Sequence, residues 1–166
     1  NCFNSLAGEF THYPSTLGDK VASICGFASG KLLLSIFAQG IFIFDPVTGN
    51  KQPFTIIDKE VNERLCLHGN TVNVYRNTPN TILLLGNHVY CYHLKEKQFS
   101  IVSEEKGINI IEGSLKAIAC DGHSTYLNDI KHIYELDNHS NKLRVLFTAQ
   151  DDMNINSVSM DESGWF

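Results

Sequence analysis

Three six-residue stretches of this chain superpose without a gap: Gly40-Ile-Phe-Ile-Phe-Asp45, His88-Val-Tyr-Cys-Tyr-His93 and His132-Ile-Tyr-Glu-Leu-Asp137. Each reads as a polar residue or Gly, an aliphatic, an aromatic, a variable residue, an apolar one, then Asp or His. A polar turn follows each, at 46–50, 94–97 and 138–141, and an outgoing strand is expected to begin near Phe54, Phe99 or Leu143. Two apolar stretches precede each motif. The first starts at Val21, Val72, Leu115 and Ile155; the second runs through Leu32, Leu83 and Tyr126, with Phe166 where a fourth copy should begin. The first-stretch starts lie 51, 43 and 40 residues apart. A four-strand unit recurring every 40–50 residues or so is the signature of a β-propeller blade.

The expected fold is therefore all-β, built of four-stranded antiparallel blades, as a partial propeller of about three to four blades. The expected division is the end of a blade at 1–13, blades at 14–57, 58–102 and 103–147, and the start of another at 148–166. Each strand carries large apolar residues on both faces, as a sheet stacked between two neighbours requires. Gly, Asn, Asp and Pro break the strands where tight hairpins need positive φ or side-chain caps. No amphipathic helix of ten residues stands out; the best candidate, 59–67, reads as a loop with a helical turn. The competing reading is a β-sandwich whose hairpins resemble one another by accident.

Composition narrows the function. With 13 basic and 18 acidic side chains the net charge is −5, which argues against an electrostatic grip on nucleic acid. The apolar content, 43%, is too high for a disordered chain. No apolar run approaches the ~20 residues of a membrane-spanning helix. The chain opens on Asn1-Cys2-Phe3 and closes on Trp165-Phe166, and is expected to be a piece of a longer protein. Its five cysteines show no tight framework spacing and read as small apolar strand residues.

Residues 29–50, closing on Pro53-Phe54, resemble the two-component regulator propeller repeat, roughly D-x-x-G-x-L-W-I-G-T-x-x-G-L-x-x-F-D-P-x-T-G-x-F. The likeness rests on Gly30, Leu32, Gly40, Ile41, Phe44, Asp45, Pro46, Thr48 and Gly49, and Asp161 and Gly164 continue it in the last segment. Leu33 stands at the family's Trp, and Ile36-Phe37 at its Gly-Thr. The resemblance implies the periplasmic sensor region of a bacterial hybrid two-component histidine kinase, its parent anchored in the inner membrane. It also implies a kinase, receiver and DNA-binding domain elsewhere in the parent, a carbohydrate-fragment signal, and no enzyme activity or cofactor in this segment. A propeller scaffold for protein–protein contact is the alternative, and a glycan-active propeller enzyme a third class.

Two Cys-x-His pairs, Cys66/His68 and Cys91/His93, place two metal-capable residues on one face of a strand, but each lacks two further ligands. No metal site is expected. His93 occupies the turn position of Asp45 and Asp137. There is no G-x-S-x-G elbow and no local signature of a Cys protease, so no catalytic residues are assigned. Propeller ligands usually meet loops at one rim, here 58–70, 103–114 and 148–154 together with the turns between second and third strands. The candidate ligand-binding residues are accordingly Arg64, Gln39, Asn87, His88, Asp129 and Lys131, with an oligosaccharide as ligand. An open arc would leave apolar blade faces uncovered, so self-association is expected as well.

Overall fold

Short hairpins between apolar strands leave the chain little choice but antiparallel sheets. The computed structural model describes residues 2–4, 9–11, 20–54, 72–86, 88–105, 108, 110, 115–156, 158, 160–161 and 164–165. Two hairpin strands come first, β1 (Cys2–Asn4) and β2 (Glu9–Thr11). Blade A contains β3 (Val21–Gly26), β4 (Leu32–Ile36), β5 (Gly40–Phe44) and β6 (Lys51–Pro53). Blade B contains β7 (Asn73–Thr78), β8 (Thr81–Leu85), β9 (Val89–His93) and β10 (Gln98–Ile101). A short β11 (Ser103–Glu104) precedes blade C, which contains β12 (Lys116–Cys120), β13 (Ser124–Asn128), β14 (His132–Asp137) and β15 (Lys142–Thr148). A last hairpin joins β16 (Met160–Asp161) to β17 (Gly164–Trp165). Strand order within each blade follows the chain, every neighbour antiparallel.

The motif residues of blade A set its turns. Oδ1 of Asp45 accepts the N–H groups of Val47 and Thr48, at 2.9 and 3.2 Å, and Gly49 takes φ +73° as its N–H returns to the Asp45 carbonyl. Asp137 repeats the arrangement with His139 and Ser140. His93 does not: its Nε2 lies 3.0 Å from the Ser100 hydroxyl instead. An imidazole cannot reach back to two backbone N–H groups as a short carboxylate does.

Blade B shows why the blades stack. Along β8 and β9 the side chains alternate between two cores. Ile82, Leu84, Tyr90 and Tyr92 join Leu33 and Ile41 of blade A, while Leu83, Leu85, Val89 and Cys91 join Leu127, Tyr134, Leu136 and Leu143 of blade C. Ile82, Leu83 and Leu84 are all fully buried. At about 1.5–3 kcal/mol for each such side chain, burial on both faces is the main force holding neighbours together. Phe54 belongs to the A/B core, edge-on to Phe27, Tyr92 and Phe99.

Three expectations need correction. Phe54 does not begin an outgoing strand: β6 ends at Pro53, and the Phe54 N–H bonds the Ile41 carbonyl at 2.8 Å while its ring packs inward. The segment from Ile155 is not a strand where described: the Ile155 N–H bonds the Ile130 carbonyl at 2.8 Å, and pairing starts only at Met160. Ser103-Glu104, expected within a rim loop, adds to blade C as a fifth strand, parallel to β15.

Candidate functional site

The turns between second and third strands carry most of the expected ligand-binding residues, and the structure gives them different tasks. Gln39 ends the exposed turn 37–39, where Ala38 takes φ +59°. Arg64 and Asn87 lie outside the described residues. Asp129 is 1% exposed. Its Oδ1 accepts the N–H groups of Lys131 and His132, both at 2.7 Å, and its Oδ2 accepts the Tyr134 hydroxyl at 2.6 Å. Nδ1 of His132 lies 3.2 Å from Oδ1. Burial disfavours the charged carboxylate, but these hydrogen bonds outweigh it and hold the Asp129 carboxyl below its ordinary range. Burial and the Asp129 charge push the Tyr134 hydroxyl up. The Asp129 carboxylate is thus closed to a ligand; it fastens a turn.

Lys131 is committed too. Its Nζ donates to the carbonyls of Asp151 at 3.0 Å and Met153 at 2.5 Å, tying the next connection to blade C. The reason is local: an ammonium at this turn sits among carbonyls the following segment leaves without strand partners. Both residues thus spend hydrogen bonds on the chain's own turns and connections.

His88 is different. It is half-buried just before β9, and its Nδ1 lies 3.1 Å from Oε1 of Glu104 on β11. Glu104 also lines an open groove of about 490 Å³ across β11, β15 and β14, with Glu105, Glu135, Asp137, Lys142 and Arg144. That volume falls within the range of small-molecule sites. Arg144 Nε donates to Oε2 of Glu135 at 2.7 Å, and Ser124 donates to Oε1 at 2.7 Å, so Glu135 is held in place. The groove offers fixed acceptors and donors side by side, an arrangement suited to hydroxyl groups, which both give and take hydrogen bonds.

Sequence reading gives no site role to His132 and Tyr134, and takes Glu104-Glu105 as solvated loop charge. The signal for the first two was present: His-x-Tyr occurs at the same repeat position in blades B and C, as His88-Val-Tyr90 and His132-Ile-Tyr134. Glu104 gives no such signal, because β11's place beside blade C depends on tertiary packing. Cys91 is buried, its thiol pushed up to about 11, so little thiolate forms at neutral pH. Among the described residues no three His, Cys, Asp or Glu side chains converge as metal ligands; Cys66 and His68 lie outside them.

No family model and no curated protein matches the chain. Among solved structures, the crystal structure of the tricorn protease is similar in fold, with a TM-score of 0.52 and 13% identity. The match covers 98% of this chain and 16% of that one. At such identity the likeness concerns the fold. The stacked four-stranded antiparallel blades define a partial β-propeller.

Proposed function

We propose that this chain is an extracytoplasmic, periplasmic ligand-sensing propeller segment of a hybrid two-component sensor histidine kinase/response regulator, and that carbohydrate fragments are its signal. The groove across β11, β15 and β14, with its interleaved carboxylates and cations, is the observation that carries the ligand class. The parent class rests on the resemblance of residues 29–50 to the regulator propeller repeat. The segment itself binds and does not catalyse; transcriptional output belongs to the kinase, receiver and DNA-binding parts of the parent.

The groove's position supports a mechanism. β11 leaves blade B, where the Val102 N–H bonds the Val89 carbonyl, and pairs in blade C with Lys142 and Leu143. A ligand there touches β11, the segment that leads from blade B into blade C, together with the two outer strands of blade C. It shifts their arrangement only if it binds one arrangement more tightly than the other. The experiment is to read the coding sequence beyond this segment. A membrane span followed by kinase motifs supports the parent assignment, and their absence defeats it.

A scaffold for protein–protein contact is the second reading, favoured by Ile130, Phe147 and Met153, large apolar side chains exposed on blade C and the connection leaving it. Capture of a protein partner through this surface, with no sugar binding, would favour it.

A further inference from the structure

Glu135 and Arg144 break the repeat. Glu135 is the fourth residue of its motif, where blade A has Ile43 and blade B has Cys91. Those two side chains pack into the A/B and B/C cores, and the neutral Gln52 and Ser100 stand opposite them on the outer strands. Opposite Glu135 stands Arg144. The Glu135 side chain is only 16% exposed, so the pair carries a desolvation cost that an apolar residue at this place would avoid. Stability gives no reason for charge at this position. The groove that both residues line does.

Charge in that groove is unevenly shared. The carboxylates of Glu104, Glu105, Glu135 and Asp137 outnumber the cations of Lys142 and Arg144. Arg144 is spent on Glu135, which it meets through both Nε and Nη2. The N–H groups of Ser140 and His139 hold the Asp137 carboxyl below its ordinary range, so it stays ionised at neutral pH. Carboxylates only accept hydrogen bonds, so the groove asks a ligand mainly for donors. An ammonium brings several donors together with a positive charge, whereas a hydroxyl brings one donor and no charge.

We propose that the groove selects glycans carrying free amino groups and turns away uronates and other acidic sugars, which rests on the groove being the glycan site proposed above. An ammonium seated beside Glu104 and Glu105 gains charge-assisted hydrogen bonds. N-acetylation of the same sugar removes the charge and most of the donors. A uronate carboxylate would meet like charge from most of the lining. Lys142 has the opposite part, since its ammonium repels the amine that the carboxylates attract.

The test is calorimetric titration of the chain at about pH 5.5, above the carboxylate range and below the pKa of sugar amines. The titrants are a glucosamine oligomer, its fully N-acetylated counterpart, a galacturonate oligomer and a panel of neutral glycans. Saturable binding of the glucosamine oligomer is expected, about tenfold or more tighter than the N-acetylated form, as one charge-assisted hydrogen bond would give. Binding of the galacturonate oligomer is expected to be absent. Glu105→Gln, at an exposed side chain, should weaken the glucosamine oligomer by about tenfold, and Lys142→Gln should not weaken it. Asp152→Asn removes the same charge from an exposed site outside the groove lining and should change nothing. An equal loss at Asp152 would show attraction to the acidic surface as a whole and overturn the proposal, as would a loss on Lys142→Gln. Equal or tighter binding of the N-acetylated, galacturonate or neutral glycans would also overturn it and leave carbohydrate sensing standing. Binding of no glycan at all would overturn both.

Discussion

The Ser23 hydroxyl accepts the backbone N–H of Val74 at 2.8 Å, and the two residues are 51 positions apart, equivalent places in adjacent repeats. One blade on, the Asn73 side-chain amide donates to the Leu115 carbonyl at 2.8 Å. Inner strands, which have no ladder between blades, are thus fastened side chain to backbone at each junction. Val74 is buried, so Ser23→Ala strands its N–H away from water. A loss of about 1–3 kcal/mol is expected in urea unfolding. An unchanged midpoint would show that water replaces the hydroxyl.

The two faces of β8 should respond separately. Leu84→Ala opens the A/B core and Leu83→Ala the B/C core, each at about 2–5 kcal/mol. Hydrogen exchange reads the difference: the first should loosen amides of β4 and β5 most, the second those of β13 and β14. Identical exchange maps would contradict the assignment of each residue to a different junction.

Asp129 predicts a pH dependence. Its carboxyl titrates below the ordinary range when folded, so its stabilisation is complete above about pH 4 and drains away as pH falls through the folded value. Asp129→Asn should unfold more readily at neutral pH and lose less on acidification than the parent. Tyr134→Phe removes one donor and should move the carboxyl back toward its ordinary range, a change readable by carbon NMR of the Asp129 side chain.

Glycine positions differ in kind. Gly40 takes φ +103° with nothing within 4 Å of an added Cβ, so Gly40→Ala meets backbone strain alone, about 1–3 kcal/mol. Gly26 has ordinary φ, and a Cβ there would meet only the flexible Arg76 side chain at 3.5 Å. Gly26→Ala should be neutral or slightly stabilising. Thermal unfolding of the pair separates the two effects.

The blades were legible because their cues are local. Asp45 and Asp137 advertise their turns, and alternation such as Ile82 to Leu85 marks strands buried on both faces. The register of the first hairpin, Phe3 opposite Phe10, also follows from aligning it with Leu136 and Leu143. The candidate site was less legible. A polar turn residue looks the same in sequence whether it meets a ligand or, like Asp129, four groups of its own chain. Glu104 reaches His88 only because β11 crosses to blade C. The buried network at the far end of the B/C junction was invisible for the same reason: the Asn77 amide donates to Asn138 at 3.0 Å, Thr125 donates to the same Asn138 oxygen at 2.7 Å, and the Cys120 thiol donates to the Asn77 carbonyl at 3.1 Å. Those partners lie up to 61 positions apart.

Calorimetric titration of the chain with a panel of oligosaccharides, alongside a Glu104→Gln, Arg144→Gln double variant, tests the sensing account most directly. The account predicts saturable binding of at least one glycan, no chemical change in it, and at least tenfold weaker binding by the double variant. Binding that survives the two substitutions would remove the groove from the account, turnover of the glycan would replace sensing with catalysis, and no binding across the panel would contradict carbohydrate sensing altogether.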